Sequence, residues 1–336
     1  MSSQYFKLFS TCIPVKGQSE SLICDIEYGQ IFPIPNLLFE ILKSNKTKNI
    51  EQLKDAYNGK LDKGIDAYFN LFEEKNLGFY TDTPEEFPDL NLKWQSPYKI
   101  RNAVIEIENL ENYSISNTLT QLNDLGCEGI QIRILTTIDL DALLAEFECV
   151  VGSRIKYIEI FLPFNADTPF EKLIKWRNFD PRITKIIQYN ALEEKVIEYK
   201  ENYYKDVFFL TKKSLSSTSK EQYSLDRFAF NIDTFAEAQK HNIGLNRKIS
   251  IDSFGNIKNY LTHKSTFGNI NDTLISNVIN LTEFKKDWNT NNTKIEKCNQ
   301  CQFRFSCVSN VEIIKKNRKH YKLEECNFNP LTNQWN

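Results

Sequence analysis

At 336 residues, 41% hydrophobic and 26% charged, with a net charge of −2, the chain has the make-up of a globular protein with a sizeable core, organised in two or three domains. No apolar run is long enough to span a bilayer as a helix. The absence of a basic excess argues against nucleic-acid binding as the main task.

The opening MSSQYFKLFSTCIPVKG lacks the basic-then-apolar layout of a secretory signal. A cytoplasmic setting is therefore expected, where clustered cysteines read as metal ligands and not as a disulfide framework. YFKLFSTCIPV and SLICDIEYGQIFPIP read as strands, the second divided by a turn at Tyr28–Gln30. Pro35 and Asn36 open a helix with Leu37, Leu38, Ile41 and Leu42 on one face. NIEQLKDAY repeats the period with Ile50, Leu53 and Tyr57. DKGIDAYFNLFEEKNLG gives a third helix with Ile65, Tyr68, Phe69 and Phe72 apolar, stopping at Gly78. Strands, three helices and a closing FYT make residues 1–82 a winged-helix-like layout. Residues 83–100, proline-bearing and without a period, read as a linker.

From residue 101 strand and helix patterns alternate. AVIEIE (103–108) is a strand, followed by a helical stretch to Gly126. GIQIRIL sets Ile130, Ile132 and Ile134 on one face, and the next helix carries Leu140, Leu143, Leu144 and Phe147. YIEIFL, a helix around Phe170, Leu173 and Ile174, then ITKIIQY and DVFFL continue the series, which FAFNI (228–232) is expected to close. Repeated strand–helix units predict an α/β fold over 101–247, its parallel sheet open or curled into a partial barrel. RKISIDSFGNIKNYL reads as a hairpin turning at Phe254, Gly255 and Asn256, and opens a cysteine-bearing part at 248–336.

Cys298-x2-Cys301-x5-Cys307 lies in a loop-like segment, with Cys326 following. Thiolates are soft ligands, and the x2 spacing lets two sulfurs reach one metal from a single turn. Four cysteines fill a tetrahedral zinc site or ligate a cubane iron–sulfur cluster, and ligand type does not separate the two. A fully ligated site is structural or electron-transferring, without an open position for Lewis-acid chemistry. Cys12, Cys24, Cys127 and Cys149 have no metal spacing and read as packed thiols. His241, His263 and His320 are scattered and read as surface or packing residues. The basic run KKNRKHYK (315–322) reads as a solvated turn or helix face. No P-loop, GxSxG, HExxH or GxGxxG occurs, and no catalytic residue stands out.

YFKLFSTCIPVKGQSESLICDI, IDSFGNI, KIEKCNQCQFRFSC and CNFNPLTNQW together resemble the SPASM-domain peptide maturases of grasp-with-spasm gene systems. Proteins of that family accompany an ATP-grasp ligase and a small precursor peptide. The resemblance runs the length of the chain and is most specific at its two ends. It implies that residues 1–82 are a PqqD-like precursor-peptide recognition domain, in which the leader peptide adds as a strand to the wing edge and packs on the third helix. The matching positions are Gln30, Ile31 and Phe32 with Tyr68, Phe69 and Phe72. Phe69 and Phe72 have the plainer reading of core residues.

The resemblance further implies a radical-SAM-like partial (β/α) barrel. Active members carry CxxxCxxC after the first strand; here that loop is ENLENYSISNTL (108–119), without cysteine, and no GGE-like run follows the second strand. The barrel is accordingly expected to be degenerate, with S-adenosylmethionine not a cofactor. The tail resembles a small cysteine-rich SPASM-like auxiliary-cluster region. In that pattern a further cysteine follows three residues after the third, where Asn310 stands here. The implied ligand set is again Cys298, Cys301, Cys307 and Cys326, for a [4Fe-4S] cluster or a structural zinc.

The expected function is a maturation partner in ribosomal peptide modification, binding the precursor's leader and presenting it to an ATP-grasp ligase, with neither nucleic acid nor membrane as partner. A second reading is a redox or radical peptide maturase using an auxiliary iron–sulfur cluster. A third is a metal-stabilised winged-helix regulator; the acidic, aromatic helix DKGIDAYFNLFEEKN suits a phosphate-lined groove poorly.

Overall fold

The computed structural model describes residues 4–197, 207–215 and 228–335. The chain begins with β1 (Tyr5–Leu8), β2 (Cys12–Val15), β3 (Ser21–Asp25) and β4 (Gln30–Ile34). Then come α1 (Asn36–Asn45), α2 (Ile50–Ala56), α3 (Asp62–Glu74) and β5 (Gly78–Thr81). The stretch YFKLFSTCIPV is two strands, not one. It bends after Leu8, so that β1 pairs with β5 while β2 joins a separate antiparallel meander, β2-β3-β4.

A helical core fills the space between these sheets and the helices. Phe6 of β1 stacks on Phe69 of α3 at 4.3 Å between ring centroids, with Ile41, Leu53, Ile65 and Phe72 buried in the same cluster. In α1 the buried stripe is Leu38, Ile41, Leu42 and Asn45, spaced i, i+3, i+4, i+7. Leu37, expected on that face, is exposed, because it lies one helical step outside the stripe. The third helix ends at Glu74, and the left-handed residue after it is Asn76 (φ 54°), not Gly78. Gly78 serves close approach instead: a Cβ there would lie 2.5 Å from the Lys7 carbonyl across the β1–β5 pair.

The central region runs β6 (Asn102–Ile107), α4 (Ile115–Asp124), β7 (Gly129–Ile134), α5 (Leu140–Glu146), β8 (Tyr157–Pro163), α6 (Phe170–Phe179) and β9 (Ile183–Tyr189). It continues with β10 (Lys195–Ile197), β11 (Phe208–Leu210), α7 (Ile232–Ala238), β12 (Lys248–Ile251) and β13 (Ile257–Lys258). The sheet has eight strands in the order β10-β11-β9-β8-β7-β6-β12-β13. Strands β6, β7, β8, β9, β11 and β12 are parallel, and the two outermost pairs are antiparallel. The chain is thus a mixed α/β protein with a large parallel sheet.

Alternation places Ile130, Ile132 and Ile134 in the core, with Gln131 and Arg133 on the other face. Asp206, first residue of the expected strand DVFFL, lies outside the described residues. FAFNI does not close the sheet. Phe228 forms a lone bridge to Cys307, and the Asn231 side chain accepts from the Thr234 N–H, which starts α7. The place beside β6 is taken by β12, in the register Lys248↔Asn102 to Ile251↔Ile105. The hairpin expected to open the cysteine-bearing part is therefore built into the main sheet. It turns at Gly255, whose φ of 83° is a left-handed conformation that glycine adopts freely.

The tail carries two small antiparallel pairs, β14 (Ile313–Lys316) with β15 (Lys319–Lys322), and β16 (Phe328–Asn329) with β17 (Gln334–Trp335). The basic run is thus a hairpin, not a helix face. Asn317 and Arg318 both have positive φ, the signature of a two-residue primed turn. Among the described residues no helix is long and apolar enough to cross a membrane.

Candidate functional site

The proposed peptide-binding positions fall on β4 and α3. As an end strand of its meander, β4 has no strand partner on one side among the described residues. Its side chains alternate: Ile31 packs toward a cluster shared with the tail, Phe32 toward the helical core that also holds Tyr68. Gln30 is exposed, and Ile31, Phe32 and Tyr68 are half-buried. Phe69 and Phe72, named as peptide contacts but also read as core residues, have the exposure of core residues, 0% and 2%. Direct peptide contact is closed to them because Phe6 covers the face of Phe69 and the Tyr68 ring stands 6.1 Å from that of Phe72. They form the floor beneath Tyr68.

The four tail cysteines are free thiols, all half-buried. Lys297 has a left-handed φ of 67° and turns the chain into a short 3-10 segment, Cys298–Gln300, closed by the Cys301 N–H on the Cys298 carbonyl at 3.0 Å. The Cys301 sulfur accepts the Phe303 N–H at 3.4 Å, and Cys326 has a corresponding backbone partner in Phe328. Burial pushes the Cys301 thiol up to about 12, and the charges of Cys307, Cys298 and Cys326 add to the rise.

Two cations stand close by. Arg304 donates to the Cys301 carbonyl at 2.8 Å, and Lys297 Nζ to the Cys326 carbonyl at 2.7 Å. Thiols with N–H donors to sulfur and nearby positive charge suit a thiolate-bound metal in kind. As the side chains stand, no three His, Cys, Asp or Glu among the described residues converge tightly enough to hold a metal ion. Phe303 and Phe328 are buried beside the thiols and Phe305 packs on the same cluster.

The other thiols are packing residues. Burial pushes Cys12, Cys24 and Cys127 up to about 12, which leaves them unreactive. His263 is buried, with its Nε2 2.8 Å from the carbonyl of Asn310, the residue standing where a fifth tail cysteine was considered.

The loop after β6 is braced by side chains. Tyr113 donates its hydroxyl to the Glu106 carbonyl at 2.6 Å, and Asn112 donates to the Ser253 carbonyl at 2.8 Å in the β12–β13 turn. Glu106 itself escaped the sequence reading. It lies in register with Arg133 on the neighbouring strand, is 2% exposed, and its Oε1 has no hydrogen-bond partner among the described residues. Burial pushes its carboxyl up to about 7 against the opposing pull of Arg133. Arg133 donates instead to Gln131 Oε1 at 2.8 Å and to the Tyr260 hydroxyl at 3.2 Å. A charged residue inside AVIEIE was the available signal.

No protein-family model matches the chain, and no curated protein matches it. Solved structures to which it is similar include Streptococcus suis SuiB bound to S-adenosylmethionine, at 12% identity and a TM-score of 0.32, covering 92% of this chain and 94% of that one. SuiB alone superposes at a TM-score of 0.29 with 12% identity, and SuiB bound to its precursor peptide SuiA at 0.29 with 11%, each with the same two coverages. A superposition this loose establishes neither a shared fold nor a shared function.

Proposed function

We propose that the chain is a maturation partner in ribosomal peptide modification, which holds a precursor's leader as a strand along β4 and presents it to an ATP-grasp ligase. The observation that carries this reading is the side of β4 without a strand partner among the described residues, with Phe32 and Tyr68 packed against the aromatic core of Phe6, Phe69 and Phe72. Strand addition to such an edge draws affinity from main-chain hydrogen bonds and selectivity from side-chain pockets on alternate positions. Residues 1–82 act as the recognition domain, 83–100 as a linker, 101–247 as a barrel-like scaffold and 248–336 as the cysteine-bearing part. Cys298, Cys301, Cys307 and Cys326 hold a structural or electron-carrying [4Fe-4S] cluster or a zinc, and the reaction is the ligase's.

The test is a titration of the full chain with labelled peptides spanning the leaders of candidate precursor peptides. Binding at micromolar concentration, weakened by Tyr68→Ala, supports the reading. Absence of binding at tens of micromolar removes it.

A further inference from the structure

The eight-stranded sheet buries one face under its helices, where Ile105, Ile130 and Ile132 share a cluster with Leu119, Leu143 and Leu173 of α4, α5 and α6. Its other face is polar. Ser250, Val104, Gln131, Glu159 and Lys185 follow one another in register across β12, β6, β7, β8 and β9, and Glu106 stands beside Arg133 in the next row. A parallel sheet ordinarily carries apolar cover on both faces. Here Val104, Gln131, Arg133, Glu159 and Lys258 are half-buried, so this face is partly open among the described residues.

Most of the polar groups there satisfy one another. Gln131 donates to Glu159 at 3.3 Å, Lys185 pairs with Glu159 at 3.4 Å, and Lys258 pairs with Asp252 at 3.4 Å. Arg133 is engaged by Gln131 and the Tyr260 hydroxyl. Two groups on adjacent strands are left over. Glu106 Oε1 and Ser250 Oγ, in residues 2% and 1% exposed, have no hydrogen-bond partner among the described residues. Ser250 is in register with Val104, two residues before Glu106, so both side chains leave the same face of the sheet. A buried carboxylate without a partner is costly until a proton or a cation neutralises it. The charges acting on Glu106 are Arg133 and Lys258 against Asp252 and Glu108, so with Glu106 itself two cations face three carboxylates. No three His, Cys, Asp or Glu among the described residues converge tightly enough for a metal ion, which points to an organic cation.

We propose that Glu106 and Ser250 form a binding site for a primary ammonium group, carried by a small amine or by a lysine side chain. The ammonium gives one N–H to Glu106 Oε1 and another to Ser250 Oγ, and its alkyl stem lies along Val104. Neither β4 nor the tail cysteines take part, so this inference goes beyond the leader-binding reading and stands without it.

The experiment follows the thermal melt of the full chain at pH 8 against increasing n-butylammonium, at constant ionic strength. A saturable rise in melting temperature is expected, since a ligand that binds only the folded state stabilises it. Neutral n-butanol, and tetramethylammonium, which has no N–H, should leave the melt unchanged. Glu106→Gln and Ser250→Ala should each weaken the response to butylammonium at least tenfold in concentration. Ser250→Ala removes an orphaned hydroxyl, so its loss of binding is not a loss of fold. The capped tripeptide acetyl-Gly-Lys-Gly-amide separates the two sources: a response like that of butylammonium assigns a lysine side chain, and none assigns a small amine. The inference is overturned if butylammonium gives no saturable shift, if butanol or tetramethylammonium matches it, or if Glu106→Gln responds as wild type. Loss of leader binding in the separate titration touches only the proposed function.

Discussion

The backbone N–H of Gln18 donates to the carbonyl of Gln300 at 2.9 Å, joining the β2–β3 turn to the first cysteine turn. Around that bond Ser19 Oγ donates to the Pro330 carbonyl at 2.9 Å and Asn333 Nδ2 to Glu20 at 2.7 Å. Arg304 reaches the Lys16 carbonyl from the cysteine loop. One apolar cluster lies beneath, with Val15, Leu22, Cys24 and Ile26 from the head and Phe303 and Phe328 from the tail. The two ends of the chain meet as one packed unit, and the face of the meander opposite its helical core rests on the thiols.

Gly17 is the tightest point of that joint. A Cβ there would sit 2.0 Å from the Glu20 carbonyl and 2.8 Å from Gln302 Oε1. Gly17→Ala should destabilise the chain by roughly 1–3 kcal/mol, as overpacking does. Urea unfolding measures the loss, and alkylation of Cys301 should quicken in parallel. A variant with the wild-type midpoint and thiol reactivity would show the joint to be loose.

Phe69 and Tyr68 are neighbours with different expected roles. Phe69→Ala removes a fully buried ring and should cost roughly 3–5 kcal/mol. Tyr68→Ala, at a half-buried position, should cost less than about 1 kcal/mol yet weaken leader binding about tenfold. Thermal melts alongside binding titrations separate the two. Equal stability losses would contradict the floor-and-surface assignment.

Metal content decides the nature of the thiol site. Anaerobically purified chain should carry either an iron–sulfur cluster, seen as a broad visible absorption band, or one zinc without colour. Cys301→Ser and Cys326→Ser should each abolish loading, and chelation should lower the melting temperature, since metal binding contributes to folding. Metal-free protein with four readily alkylated tail thiols would rule the centre out.

Glu106 makes stability fall as pH rises. Its carboxyl lies at about 7 in the folded chain, above the ordinary 4.5, so the folded state holds the proton more tightly than the unfolded one. The stabilising contribution is complete below about pH 4.5 and is lost as pH rises through about 7, an effect on the order of 3 kcal/mol. Urea midpoints at pH 5 and pH 8 should diverge for wild type, and the difference should shrink in Glu106→Gln. An unchanged difference would mean that another group carries the slope.

The local signals of the sequence proved legible where the chain answers only to its neighbours. Ile130, Ile132 and Ile134 alternate into the core because side chains on a strand point to opposite faces. The turn at Gly255 was readable for a similarly local reason, the freedom of glycine at positive φ. Reading failed where partners are distant. FAFNI has strand composition and was expected to close the series, yet Phe228 makes a lone bridge to Cys307 and β12 joins the sheet instead, because strand pairing is settled by competition among segments far apart in sequence. Leu37 and Leu38 are alike in chemistry, and which of them is buried depends on which side of α1 meets the rest of the fold.

The sequence by itself determined a soluble-type composition, an alternating α/β centre, a head of strands and three helices, and four cysteines spaced as soft ligands. Tertiary structure alone decided that Glu106 is a buried carboxyl whose Oε1 has no hydrogen-bond partner among the described residues, and that Cys301 and Cys326 pack in one cluster with the β2-β3-β4 meander. Periodicity and ligand spacing act over a few residues and can be read along the chain. Burial and electrostatic environment arise when residues hundreds of positions apart, such as Ser19 and Pro330, come into contact.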